Sequence, residues 1–438
     1  MSIFKAYDIR GIYGTELTTE LAYQIGRAFA TFLTCRKVVV GRDMRPHSQP
    51  LFDELARGLV EQGVTVIDLG LCSTPMSYYA NGKLGADAGI MITASHNPGE
   101  YNGFKMCREQ AIPISGATGI KDIERIVLER AFDEPAANPG RIETYNIASE
   151  YMDHIHAFAD FICPINVVID YANGMGVLEG EVLDHLMGVE PLFKEMDGTF
   201  PNHEANPLHA ETFAALQQRI RQGTCDFGIY FDGDADRAGF TDERGEIVSN
   251  DMITALIAQA ILEKETGVVF YDLRSSWAVK EVIEEAGGEA RMSRVGHAFI
   301  KEQMREANAV FAGELSGHYY FRENYFAESA ALAAILIGNL ISHKGQPLSE
   351  LVKPVMRYCS SGEINSTVPD VQPVFARLRE AYPDGRVIEL DGLSIEFDDW
   401  WFNVRASNTE PLVRLNLEAK TAAEMTRHRD EVLALIRA

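Results

Sequence analysis

The sequence predicts an α/β protein: three mixed-sheet α/β domains of similar architecture and a smaller C-terminal α+β domain, grouped around one central cleft. Three observations predict it. A strand–helix rhythm runs from the N-terminus, restarts near residue 150 and starts a third time after Asn250. Beyond residue 360 the rhythm gives way to segments that alternate apolar and polar side chains, as a half-exposed antiparallel sheet does. In each of the first three stretches one apolar strand runs straight into a polar loop that contains glycine. Loops at the carboxyl ends of strands in open α/β sheets hold ligands, so three such loops can converge on one cleft.

The elements follow in order. Val38-Val39-Val40 within Lys37 to Gly41 is a β-branched run suited to a strand buried on both faces. Leu51, Leu55, Leu59 and Val60 give helical spacing to 51–62, and Val64 to Leu69 and Ala88 to Thr93 are the next strands. Strand, helix, strand in this rhythm implies parallel βαβ units. Val167-Val168-Ile169 opens the second round, with helices at 177–187 and 212–221 and a strand at 227–231. The third round has a helix at 253–262, a strand at 268–272, a helix at 278–286, a strand at 309–313 and a buried helix at 329–341. The last part reads as strands at 363–368, 386–390, 394–398, 401–405 and 412–419, with helices at 371–382 and 421–436. Asp391-Gly392 is a hairpin signal. The expected domains are 1–150, 151–250, 251–360 and 361–438.

Composition narrows the function. The chain has 438 residues, enough for about three domains of ~150. Hydrophobic residues make up 46% and charged residues 24%, the balance of a globular chain. A net charge of −24 argues against nucleic acid and against anionic membrane as partners. The longest apolar stretch, Ser329 to Ile341, is shorter than the ~20 residues of a membrane span. Lys5, Asp8 and Arg10 stand where a signal peptide would need an apolar run, and the six cysteines are scattered singly, so a cytoplasmic protein is expected.

The three strand-to-loop runs carry the chemistry. In Phe231-Asp232-Gly233-Asp234-Ala235-Asp236-Arg237, three carboxylates stand two residues apart. Unpaired, they would repel. A hard divalent cation with oxygen ligands removes the repulsion and points to Mg²⁺, Mn²⁺ or Ca²⁺ rather than zinc. An EF-hand does not fit, because Arg237 stands where that loop needs glycine and a strand precedes it. An aspartyl phosphatase using Asp232 as nucleophile remains an alternative, although it leaves Ser95 without a role. Ser95 lies in Thr93-Ala94-Ser95-His96-Asn97-Pro98, with backbone N–H groups, His96 and Lys105 as donors for a phosphate. No Gly-x-Ser-x-Gly elbow is present. His203 reads as a surface loop residue, Tyr7 and Trp401 are also compatible with packing, and His297 and His318 with core or capping positions.

These segments resemble, in order and over essentially the whole chain, those of the α-D-phosphohexomutases. Thr93 to Pro98, followed by Tyr101-Asn102-Gly103-Phe104-Lys105, resembles the phosphoserine loop of that family, and Asp232 to Arg237 its metal loop. Gly313-Glu314-Leu315-Ser316-Gly317-His318 resembles its sugar-recognition loop, and Arg405-Ala406-Ser407-Asn408-Thr409-Glu410-Pro411 its phosphate-binding loop. Phe4 to Gly11, Val295 to Lys301, Glu363 to Ser366 and Trp401 to Arg405 are similar to the phosphomannomutase branch in particular. Gly41-Arg42-Asp43-Met44-Arg45 keeps the family's Arg-Asp-x-Arg pattern, and Ala235 stands where many relatives have glycine.

The resemblance implies an isomerase that moves a phosphoryl group between O1 and O6 of a hexose, with mannose phosphates the expected substrates and glucose phosphates the alternative. It implies Ser95 as phosphoryl carrier, with Mg²⁺ on Ser95, Asp232, Asp234 and Asp236 and a hexose 1,6-bisphosphate as intermediate and activator. Lys105 or a nearby histidine such as His96 would move protons, and Arg10 and Arg237 would lie near the phosphoserine. Tyr7, Arg274, His297, Glu314, Ser316 and His318 would recognise the sugar. Arg405, Ser407, Asn408 and Thr409 would clamp the phosphate that is not transferred. The expected partners are small hexose phosphates.

Overall fold

The structure is a computed structural model, and it describes residues 3–161, 163–406 and 412–438. The described residues form four sheets. The first three share one plan. In the first, Lys37–Arg42 lies between Thr65–Leu71 and Ala88–Ile92, parallel to both. In the second, Asn166–Asp170 lies parallel between Gly188–Leu192 and Phe227–Phe231. In the third, Val268–Asp272 lies parallel between Glu289–Ser293 and Phe311–Gly313. Each sheet then adds an antiparallel neighbour next to its last parallel strand: Tyr101–Arg108, Ala238–Asp242 and Tyr319–Phe321.

This plan places the chemistry. The Ser95 loop, the three-aspartate loop and the Glu314 loop are the three connections between a buried parallel strand and its antiparallel neighbour. The sequence leads to parallel βαβ units, and the central strands are parallel. The antiparallel additions make each sheet mixed. Tyr101 to Lys105, read from the sequence as the continuation of a loop, begins the strand Tyr101–Arg108.

The strands take these positions because of their side chains. Val38, Val39 and Val40 are fully buried, as a β-branched run covered by helices on both faces should be. The helix Ala330–Lys344 is capped by the Ser329 hydroxyl, which accepts from Leu332 N, and is buried over nearly its whole length. Among the described residues no helix is long and apolar enough to cross a membrane.

The fourth unit is an antiparallel sheet built on Leu412–Ala419, Trp400–Ala406, Leu393–Glu396 and Arg386–Ile388, with the helices Val371–Ala381 and Ala422–Ile436. It starts at Cys359–Ser360, which pairs with Leu412–Ala419. Its core, around Leu378, Phe402, Leu415 and Val432, is separate from the core that joins the first three units. Polar contacts link it to the third unit. Glu418 accepts from Trp277 N at 3.0 Å, and Asp391 accepts from Val295 N at 3.3 Å.

His203 is not a solvated loop residue: its Nε2 lies 3.2 Å from the fully buried carboxylate of Asp170, and its ring stacks on Tyr230. A buried carboxylate needs such a partner, and the ring covers it. Arg405, the last residue of the strand read at 401–405 and the first of the phosphate-binding motif, lies within the strand Trp400–Ala406 rather than in a loop between strands.

Candidate active site

Ser95 is 1% exposed and has a left-handed backbone, φ +51°. A non-glycine residue there is strained, and such strain persists only where neighbours hold it. The holding group is Arg45. Its guanidinium donates to the carbonyls of Ser95 (2.9 Å), Asn97 (2.7 Å), Pro98 (2.7 Å) and Tyr101 (3.0 Å), while its Nε bonds Asp43. Thr93 Oγ1 accepts from Ser95 N at 2.9 Å. The Ser95 hydroxyl donates to Asp232 Oδ2 at 2.8 Å and lies 3.2 Å from His96 Nδ1. Burial, then Arg237, Arg10 and Lys105, hold the His96 pKa well below the usual histidine value, so the ring is neutral. Arg10 Nη1 donates to Asn97 Oδ1 at 2.6 Å.

Lysine carries the charge of Arg45 but not its planar fork, so it cannot span four carbonyls. Arg45→Lys is expected to lower turnover about 100-fold, the effect of roughly 1 Å of misplacement in a catalytic loop. Circular dichroism should stay unchanged, and wild-type kcat in this variant would show that Arg45 does not position the Ser95 loop.

The aspartate loop packs directly on Ser95. A Cβ on Gly233 would lie 2.3 Å from the Ser95 carbonyl, so the approach requires glycine. Asp232, Asp234 and Asp236 are at most 2% exposed, and each offers an oxygen within 4.8 Å of the others. Lys105 Nζ bridges Asp234 Oδ2, at 2.6 Å, and Asp236 Oδ2. Among the described residues Asp234 Oδ1 and Asp236 Oδ1 are buried without a hydrogen-bond partner. Burial, then the neighbouring Asp234 and Asp236, push the Asp232 pKa well above the carboxylate range. Burial also acts on Asp236, but Lys105 and His318 outweigh it and hold that carboxyl low. Lys105 is desolvated too, yet Asp234 and Asp236 raise its pKa and keep it an ammonium.

Three close carboxylates with unpartnered oxygens and no sulfur fit a hard divalent cation such as Mg²⁺. A second acidic group, Asp236, His318 and Glu328, is less suited. Lys301 Nζ already lies 2.7 Å from Glu328. Ala235, in the same loop, has φ +62°. A methyl group at this position is therefore strained, at a cost of about 1–2 kcal/mol relative to glycine.

The third loop closes against the second. Arg237 Nε donates to His318 Nε2 at 3.3 Å, and His318 Nε2 lies 3.5 Å from Asp236 Oδ1. Ser316 Oγ lies 2.8 Å from His318 Nδ1. Glu314 is 1% exposed and accepts from Gly296 N at 3.0 Å and from the Tyr320 hydroxyl. His297, at the start of the helix His297–Ala307, stacks on His318, and Tyr7 packs on His297 at 5.7 Å between ring centroids. Arg274 is locked by Asp272 through Nε (3.1 Å) and Nη2 (2.6 Å). Glu363 draws the fourth unit in: it pairs with Arg405 at 2.9 Å and lies 4.0 Å from Arg274. Arg10 Nε, His297 Nδ1 and Arg405 Nε are buried without a partner among the described residues.

The structure thus brings together Ser95, His96, Arg10, Lys105, the three aspartates, Arg237, Glu314, Ser316, His318, His297 and Tyr7. Arg274 and Arg405 meet at Glu363. Ser407, Asn408 and Thr409 lie outside the described residues. Arg45 and Glu363 also belong to the site, although the sequence assigns them no role there; they lie in the Arg-Asp-x-Arg stretch and in the strand at 363–368. A separate cavity of about 920 Å³ lies between the helix Trp277–Glu285 and the fourth sheet and contains none of these groups.

Comparison with known proteins agrees with the geometry. The chain matches phosphoglucomutase/phosphomannomutase alpha/beta/alpha domains I, II and III over residues 1–134, 149–245 and 249–358. It matches the C-terminal domain of the same family over 363–435. It is 39% identical to a phosphomannomutase of Escherichia coli, with 100% of this chain and 99% of that protein covered. It is 40% identical to a phosphomannomutase of Methanocaldococcus jannaschii, covering 100% and 98%. A protein of Xanthomonas campestris described as "Phosphohexose mutases" is 41% identical over 98% of each chain. The crystal structure of a phosphoglucomutase/phosphomannomutase family protein from Burkholderia thailandensis superposes with a TM-score of 0.92 at 32% identity, covering 99% of this chain and 97% of that one. Matched in all four domains and along its full length, the chain belongs to the phosphoglucomutase/phosphomannomutase family, whose members are isomerases acting on hexose phosphates.

Proposed function

We propose that the protein is a phosphomannomutase, interconverting mannose 6-phosphate and mannose 1-phosphate through a phosphorylated Ser95 and a hexose 1,6-bisphosphate. The observation that carries the reading is the Ser95 hydroxyl, 2.8 Å from Asp232 on a strained loop held by Arg45. A serine that only filled space would not need that backbone.

In this reading the phosphorus–oxygen bond to Ser95 breaks as a bond to the sugar hydroxyl forms. The sugar loses its proton, and Ser95 regains one. Neutral His96, 3.2 Å from Oγ, is suited to exchange that proton. Lys105 is less suited as a base, because two carboxylates hold it charged; it and Arg237 serve as fixed positive charge. Asp232, Asp234, Asp236 and a phosphate oxygen on Ser95 would hold Mg²⁺, which when bound offsets negative charge on the phosphoryl oxygens.

Glu314 and Ser316 would bond sugar hydroxyls, with His297, His318, Arg274 and Tyr7 completing recognition. Arg405, Ser407, Asn408 and Thr409 would clamp the stationary phosphate. The bisphosphate must turn over within the site so that Ser95 takes back the other phosphoryl, and a clamp on a separate domain can receive either end. The fourth unit's own core supports a lid role. The scattered cysteines favour a cytoplasmic setting.

A dual-specificity phosphohexomutase is the second reading, favoured by the broader description of the Xanthomonas relative. Initial rates with mannose 1-phosphate and glucose 1-phosphate, side by side with added hexose 1,6-bisphosphate, distinguish the two. A preference of tenfold or more for mannose is expected, about 1.4 kcal/mol in transition-state binding. Equal rates would make the second reading correct, and no isomerisation of either sugar would remove both.

A further inference from the structure

The metal loop of the second domain is gripped by a residue of the first. Thr74 opens the helix Thr74–Lys83, with Ser73 as its N-cap and Pro75 in the first turn. Thr74 N donates to the Asp234 carbonyl at 3.0 Å, and Thr74 Oγ1 donates to Asp234 Oδ2 at 2.6 Å. Both residues are fully buried. Lys105 Nζ reaches the same Oδ2 at 2.6 Å. Two donors therefore hold one oxygen of Asp234, and the other, Oδ1, is buried without a partner.

A carboxylate rotates unless one of its oxygens is fixed. Held by Lys105 alone, Asp234 could turn either oxygen to the ammonium. The hydroxyl of Thr74 removes that freedom, and the bond from its N–H to the Asp234 carbonyl fixes the backbone as well. The start of the helix cannot follow a displaced Asp234. The Ser73 hydroxyl donates to Glu179, and Glu179 accepts from the Tyr151 hydroxyl at 2.9 Å. Glu179 is fully buried in the second domain's helix Gly176–Asp184.

We propose that Thr74 is a positioning residue for the divalent-cation site: it orients Asp234 so that Oδ1 is presented to the ion, and it makes metal affinity depend on the packing of the first domain against the second. The inference rests on the reading of the three aspartates as the Mg²⁺ site. Ligand-orienting groups of this kind change metal affinity by about 10–100-fold when removed.

The test is calorimetric titration of the full-length protein with MgCl₂. Thr74→Val keeps the volume of the side chain and removes the hydroxyl; it is expected to raise the Mg²⁺ dissociation constant by about 10–100-fold. Thr74→Ser restores the hydroxyl and should recover wild-type affinity. In kinetics, Thr74→Val should shift the Mg²⁺ concentration for half-maximal rate by the same factor, and kcat at saturating Mg²⁺ should recover. A purely structural role predicts the opposite pattern: a lower unfolding midpoint in EDTA with wild-type Mg²⁺ affinity, which would overturn the proposal. Where the valine variant does not fold, Thr74→Ala removes the same hydroxyl. If neither folds while Thr74→Ser binds as wild type, the role of Thr74 is structural and the proposal fails. Asp232→Asn separates the two readings. Wild-type protein that binds no Mg²⁺, or Asp232→Asn that binds normally, removes the metal site itself. Normal loss in Asp232→Asn with no change in Thr74→Val removes only the Thr74 inference.

Discussion

Ser95→Ala is expected to lose turnover by roughly four to six orders of magnitude, the scale on which removing a covalent nucleophile acts. Other groups at the site can bind and orient a sugar phosphate, but in the proposed mechanism the serine oxygen alone carries the phosphoryl group. The fold should survive. Ser95 sits in a loop fixed by Arg45 from outside, and the first domain keeps its own core around Phe29, Leu55, Ile90 and Phe104. The local change is the loss of the hydroxyl's bond to Asp232 and its contact with His96. Intact-mass measurement should show a phosphate on the wild type that the variant lacks. With ³²P-labelled bisphosphate, the label should sit on serine; label on Asp232 would favour the aspartyl phosphatase. Wild-type turnover by Ser95→Ala with bisphosphate present would falsify the covalent mechanism.

The parts of this site that could be read from the sequence are those written locally. The three aspartates and the Ser95 hexapeptide are contiguous, and each follows a strand whose apolar run is unmistakable. The parts that were hidden depend on partners distant in sequence. Arg45 and the Ser95 carbonyl are 50 residues apart, and Thr74 and Asp234 are 160 apart. Nothing in a window around Arg45 distinguishes a buried guanidinium from a solvated one.

The same limit applies to secondary structure. The helix Thr74–Lys83 is buried from Thr74 to Gly82, so it has no polar face to give a period. The strand Ile142–Thr144 is exposed at every position and offers no apolar run. Arg405 ends the strand read at 401–405 and opens a motif that runs on to Pro411, and the strand Trp400–Ala406 is buried through Arg405. Burial of an arginine inside a strand requires a carboxylate partner, and Glu363, 42 residues away, supplies it.

Metal removal is the second large effect. Dialysis against EDTA is expected to lower turnover at least about 1,000-fold, and Mg²⁺ should restore it. Asp232, Asp234 and Asp236 are buried together, with Lys105 and Arg237 as the nearby positive groups. In that state Asp232 tends to hold a proton, because burial and its two neighbours disfavour a third negative charge. A phosphate on Ser95 would bring further negative charge to within hydrogen-bond distance of Asp232. Lys105 cannot balance it alone, since both of its carboxylate partners are already present. A divalent cation on the unpartnered oxygens of Asp234 and Asp236 would restore the balance. Mn²⁺ should substitute in part, since it accepts the same oxygen ligands. Zn²⁺ should be a poor substitute or an inhibitor, because it prefers nitrogen and sulfur and fewer ligands. Asp232→Asn should respond weakly to added Mg²⁺ in the same assay. Full activity in protein shown to be metal-free by elemental analysis would leave the proposed chemistry without its metal site.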